Sequence, residues 1–167
     1  VDGQDVELDT AYYEVARVKE KVNGQKVIPH VIEPSHGLDR ILYSCLEHAY
    51  REKDGYVTMA LKPAVAPIKV GVFPLMAKDG MEEVARALDK ALREEGIATY
   101  YDDSGSIGRR YARMDEAGTP WCVTVDYDTL EKGEVTVRDR DTTEQVRIGA
   151  DDVVESIKQR LKRKLSC

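Results

Sequence analysis

The sequence predicts an α/β protein built on a mixed sheet, and three observations carry that expectation. From Ile68 onward, short β-branched runs alternate with helical patterns as β-α-β-α-β, which implies parallel strands joined by right-handed crossovers. Residues 134–138 and 144–148 then read as two strands joined by a short polar turn, hence antiparallel to each other. A length of 167 residues with 42% hydrophobic content suffices for one good core with a smaller appendage, or for two small domains.

Taken in order, residues 6–22 are rich in Tyr and Val, and Asn23-Gly24 offers the residues that a tight hairpin turn needs. Residues 25–32 return as a second strand, which Glu33-Pro34-Ser35 ends. Ser35 suits a helix N-cap, its hydroxyl accepting from amides that lack intrahelical partners. Leu38, Ile41, Leu42, Cys45, Leu46 and Ala49 keep one apolar helix face. This strand–turn–strand–helix has too little sheet to stand alone and is expected to pack on parts outside it. Opening on Val1 in mid-hairpin, the chain reads as a piece of something longer. Residues 51–62 are polar and irregular, and the boundary between domains 1–62 and 63–167 is placed there.

In the second domain, IKVGVF (residues 68–73) reads as a buried strand, and Met81, Val84, Ala85, Leu88 and Leu92 mark a helix ending at Gly96. Residues 97–101 form the next strand, a short arginine-rich helix follows, and residues 121–126 are the third strand. Val153, Val154, Ile157, Leu161 and Leu165 line a last helix.

The net charge of −6 argues against a protein that coats nucleic acid without specificity, yet it leaves room for local basic patches. Two exist: Arg109, Arg110 and Arg113 in one short helix, and the run from Lys158 to Lys164. Cys45, Cys122 and Cys167 are widely spaced, which favours reduced thiols in a cytoplasmic protein over a disulfide framework or a metal site. No apolar run approaches the roughly 18 residues of a membrane span.

The arginine stretch, DDSGSIGRRYARMDEAG, is the most informative. Ile107, Tyr111 and Met114 recur at the spacing of a buried stripe, so Arg109, Arg110 and Arg113 point elsewhere. Gly118 sits where a left-handed cap is expected. From spacing alone the arginines suit either a solvated face paired with Asp115 and Glu116 or a cationic binding group.

Two stretches together decide between these. EPSHGLDRI (residues 33–41) resembles the third signature motif of class II aminoacyl-tRNA synthetases, in the form found in eukaryotic- and archaeal-type glycyl-tRNA synthetases. DDSGSIGRRYARMDEAGTP and the later VTVDYDTLEKGEVTVRDRDT resemble the anticodon-binding domain of the same enzymes. The resemblance runs from about Tyr12 to the C-terminus. It implies a five-stranded mixed sheet flanked by three helices, in agreement with the order of elements, preceded by a hairpin and helix from the end of the antiparallel catalytic domain. It also implies that Glu33 and Ser35 bind glycine, that Arg40 is catalytic and binds ATP, and that Arg109, Arg110, Arg113, Asp115 and Glu116 meet the anticodon of glycine tRNA.

The chemistry is consistent. A carboxylate holds the ammonium of an amino acid that has no side chain to grip. An arginine fork pairs with phosphate and lies against adenine. Guanidinium groups suit guanine O6 and N7, and carboxylates accept from cytosine N4. ATP with Mg2+ and glycine are then substrates of the whole enzyme, with no cofactor expected on this chain. The other two class motifs are absent, one of which builds the dimer interface, so the chain alone is expected inactive in glycine activation and the homodimer is expected through other parts. His36 and Asp39 depart from the family pattern, where an aromatic and a glycine are usual. Other readings are a non-catalytic accessory protein with the anticodon-binding fold, a same-subclass synthetase for another amino acid, and a small-molecule binder, for which no phosphate-cradling motif speaks.

Overall fold

The structure, a computed structural model, describes residues 3, 5, 7, 9–21, 23, 24 and 27–165. The chain divides into two units, Val1–Ser35 and His36–Cys167. The described residues of the first carry one short 3-10 turn, Thr10–Tyr12, with the Asp9 carboxylate accepting from the Ala11 amide. No strand forms among them, so the hairpin expected over residues 6–32 is absent there; Val6, Leu8, Val22, Gln25 and Lys26 lie outside the described residues. The physical reason is burial. Val15, Val18, Ile28 and Ile32 are 84–96% exposed, and a lone two-stranded ribbon with no covering layer is marginal in water.

The second unit opens with α1 (Leu38–Ala49), whose N-cap is Gly37 rather than the expected Ser35. The Gly37 carbonyl accepts from the Ile41 amide, so the helix starts without a side-chain cap. Its apolar face forms as the spacing requires, but only Ala49 is buried, against Leu61 and Ala66. Residues 51–62 are not irregular. They contain a hairpin, β1 (Tyr50–Lys53) and β2 (Tyr56–Met59), closed by Asp54 at φ 53° and Gly55 at φ 77°. Two left-handed residues in a two-residue turn match the twist of the flanking strands, which is why Asp-Gly serves there. The strands escaped the sequence reading because Arg51, Glu52 and Lys53 supply no apolar alternation.

The rest follows the expected order: β3 (Val70–Pro74), α2 (Met81–Glu94), β4 (Thr99–Tyr101), α3 (Ile107–Ala117), β5 (Trp121–Val125), α4 (Tyr127–Lys132), β6 (Glu134–Asp139), β7 (Gln145–Gly149) and α5 (Val153–Leu165). The sheet runs β4-β3-β5-β6-β7, with β4, β3 and β5 parallel and β6 and β7 antiparallel. Only α4 was unforeseen; Asp126 and Thr129 cap it reciprocally.

Period-two alternation buries both sheet faces, which explains why β3 and β5 read as unbroken apolar runs. Val70, Val72, Trp121, Val123 and Val125 pack with Met81, Ala85 and Leu92 of α2 and with Val153 and Ile157 of α5. Phe73 and Cys122 face the other way, against Met114 of α3. That second face, carrying α3 and the hairpin, holds the candidate site.

Candidate functional site

α3 is seated by the predicted stripe: Met114 is buried, and Ile107 and Tyr111 are half-buried against Phe73 and Cys122. Gly118 ends the helix at φ 80°, its amide donating to the Asp115 and Met114 carbonyls. A Cβ there would stand 2.6 Å from Leu61 Cδ1 and 3.2 Å from the Met59 carbonyl oxygen, so glycine is required twice over, by backbone and by space.

The three arginines diverge. Arg110 is 4% exposed, where the sequence reading had it pointing away from the core. Its guanidinium donates to the Pro74 carbonyl, to Gly105 O at 2.9 Å and to Asp102 O at 3.5 Å. It thereby ties the loop before α3 to the ends of β3 and β4, a structural role that periodicity cannot show. Arg113 is half-exposed and leans back on the same loop, with Nη2 2.7 Å from Ser104 O and Nη1 3.2 Å from Ser104 Oγ. Its Nη2 also lies 2.7 Å from Oδ2 of the buried Asp102, an ion pair held by charge without hydrogen-bond alignment. Asp102 Oδ1 accepts from the Ser104 amide and hydroxyl, so one carboxylate shapes the loop and orients Arg113. Arg109 is exposed, its amide donating to the Ser106 carbonyl at 3.0 Å while its guanidinium extends from the helix.

Arg109, Arg113 and Glu116 line a shallow hollow of about 350 Å3 with Ser104, Gly105 and Ala112. It offers two guanidinium groups, one carboxylate and a loop backbone on one side of a fixed helix.

Asp115 does not join them. It is 1% exposed and takes Arg138 in a two-point pair at 3.0 and 2.9 Å, while the Tyr56 hydroxyl donates to its Oδ2 at 2.5 Å. The Arg138 guanidinium lies 4.9 Å from the Tyr111 ring centre, and Tyr111 shares a 2.7 Å hydrogen bond with Thr124. Burial and the Asp115 hydrogen bond push the Tyr56 phenol up to about 12, so it stays a neutral donor. Arg140, also buried, donates to Gly118 O and Leu61 O and so fastens the connector to the end of α3. Buried Asp115 and Arg138 with the hydroxyl of the part-exposed Tyr56 thus link α3, β6 and the hairpin, and buried Arg140 adds the connector at Leu61. Only Asp115 was singled out in the sequence; its partners lie 59 and 23 positions away and leave no local signal.

Trp121 is 1% exposed, with Nε1 donating to Asp139 Oδ2 at 3.1 Å, and belongs to the core. Glu33 and Ser35 are exposed on irregular backbone in the first unit, and Arg40 is exposed in the first turn of α1. Lys158, in the C-terminal basic run, pairs with Glu95 at 2.5 Å. Among the described residues no group of three or more His, Cys, Asp or Glu side chains converges as metal donors, and no helix is long and apolar enough to cross a membrane.

Comparison with known proteins places this geometry. Residues 65–160 match the family described as anticodon binding domain. The chain is 54% identical to a glycine–tRNA ligase of Methanocaldococcus jannaschii over 97% of its own length, and 52% identical to one of Aeropyrum pernix over 92%. It spans 28% and 27% of those relatives, about a quarter of each. Among solved structures, prolyl-tRNA synthetase of Cryptosporidium parvum superposes on 63% of the chain and 23% of its own, with a TM-score of 0.59 at 22% identity, a likeness of fold.

Proposed function

The chain belongs to the anticodon binding domain family, and from that premise we propose that it is the C-terminal part of a glycine–tRNA ligase, reading the anticodon loop of glycine tRNA. One observation carries the reading: Arg109, Arg113 and Glu116 share a hollow beside an ordered loop, while the rest of α3 is committed to the sheet. Unpaired bases of a tRNA loop are read by stacking on guanidinium planes and by hydrogen bonds to exposed edges, and this group offers both. Arg109 is the base-reading group, Glu116 the acceptor for an exocyclic amine, and Arg113 a guanidinium pre-aimed by Asp102. Arg110 and Asp115, buried and occupied, support the helix instead.

In the same reading residues 1–62 are the end of the catalytic domain and 63–167 the anticodon-binding domain. Glu33 and Ser35 grip glycine, and Arg40 pairs with ATP, which enters with Mg2+ as substrate of the whole enzyme. Attack of the glycine carboxylate on the α-phosphate, which breaks the α–β phosphoanhydride bond and releases pyrophosphate, is stabilised there by positive charge, of which Arg40 supplies one part. A homodimer formed through other parts and a cytoplasmic location complete the proposal. An accessory protein without catalysis is disfavoured, because the relatives that carry this stretch are ligases.

The test is affinity for a glycine-tRNA transcript against the same transcript with its anticodon changed. A good base contact is worth about 1–3 kcal/mol, so Arg109→Ala should weaken the cognate complex about ten- to a hundredfold and narrow the difference between transcripts. Arg109 is the sharper probe than Arg113, whose removal also strands the buried Asp102. Unchanged affinity in an Arg109→Ala, Glu116→Gln chain would remove the hollow as the reading site.

A further inference from the structure

We infer that the Arg51–Lys53 face of the hairpin is a second RNA-contact surface, one that holds the phosphodiester backbone. The inference rests on the reading that RNA is the partner, and it concerns residues outside the α3 hollow.

Strand alternation sets the face. Arg51 and Lys53 point to one side of β1, opposite Thr58 and Tyr56 of β2, while Glu52 turns to the other side and accepts from the Tyr50 hydroxyl. Arg51, Lys53, Tyr56 and Thr58 line a groove of about 400 Å3 whose far wall is Arg140, Asp141 and Thr143. Through Ala60, Arg140 and Asp141 it continues into a hollow of about 360 Å3 that adds Lys62 and Arg163.

The charge balance identifies the ligand. Asp141 is the one carboxylate lining either hollow, and it is 2.7 Å from Arg140, so that pair cancels. Arg51, Lys53 and Lys62 remain, a concentration of positive charge on a chain of net charge −6. Between them lies the Tyr56 ring, 44% exposed and fixed by its hydroxyl on Asp115. Cations that track a backbone, with an immobilised aromatic face among them, fit single-stranded nucleic acid; an acidic peptide has no use for the ring.

Phosphate contacts are read by salt. Each one to a single strand contributes about 0.7 to the slope of log affinity against log salt concentration. The full chain is titrated with both transcripts between about 50 and 200 mM salt. Arg51→Ala with Lys53→Ala should lower the slope by about 1.4 and weaken both transcripts equally, leaving their ratio intact. Lys62→Ala, outside the hairpin, should lower it by about 0.7. Lys90→Ala with Lys132→Ala, a matched charge change on α2 and α4, should leave it unaltered. Wild-type slopes in the Arg51, Lys53 and Lys62 variants overturn the assignment, as does polyglutamate displacing RNA equally well at equal charge. A wild-type chain that binds without telling the transcripts apart, yet loses slope in these variants, refutes the anticodon reading and leaves the groove standing.

Discussion

Asp115 is the residue on which the platform turns. It accepts three hydrogen bonds, two from Arg138 and one from Tyr56, in a site nearly closed to water. Removing one member of such a buried pair leaves an uncompensated charge, typically a loss of about 3–5 kcal/mol. Its carboxylate also bears on alkaline stability. Burial, with Asp115 nearby, pushes the Cys122 thiol from 9.0 up to about 12, and burial with the Asp115 hydrogen bond moves Tyr56 from 10.0 to about 12. Both groups keep their protons to higher pH when folded than when unfolded. The stability this gives is complete below about pH 9 and is lost as pH climbs to about 12. The midpoint of thermal unfolding, followed by circular dichroism from pH 8 to 12, should fall across that window. Cys122→Ala should flatten its onset; an identical fall in the variant removes Cys122 as a cause.

At the scale of elements, the hairpin and α3 are one assembly. α3 is locked to the sheet by Met114 and to the hairpin by Tyr56 and Asp115, and Arg140 bridges its last turn to Leu61. The crowded point is Gly118. Placing a side chain at φ 80° costs on the order of 1–3 kcal/mol, and displacing Leu61 adds to it. Gly118→Ala should therefore lower the urea midpoint by at least about 1 kcal/mol in stability at unchanged m-value. No loss would mean that the hairpin and connector move aside at no cost, and that the packing between them is slack. The same assembly joins α1 to the platform, since β1 begins at the residue after Ala49.

For the whole molecule, charge and length set the limits. With a net charge of −6, the RNA affinity proposed above rests on local groups, Arg109 with Arg113 on α3 and Arg51 with Lys53 on the hairpin. The chain spans 28% of a glycine–tRNA ligase relative, and in the proposed reading it holds one of the three motifs that build a class II active site. ATP–pyrophosphate exchange dependent on glycine should then stay at background for these 167 residues, and turnover above background would show that the third motif suffices.

The regular α/β part was legible because each strand and helix from β3 to α5, the short α4 excepted, carries its own period, and because Gly118 and the apolar stripes are local signals. The short polar hairpin was not legible, since its stability comes from Asp115 and Arg140 far along the chain, although Asp54-Gly55 marked its turn. The hairpin expected at the start does not form among the described residues for the converse reason: its local signal had no layer to bury against. Sequence by itself determined the order of the main strands and helices from β3 to α5, the mixed sheet they form and the arginine helix, all of which are consequences of neighbours within a few positions. Only the tertiary structure decided that Arg110 and Asp115 go inside while Arg109, Arg113 and Glu116 stay out, because which side of a helix is covered depends on what packs there, and charge alone does not say.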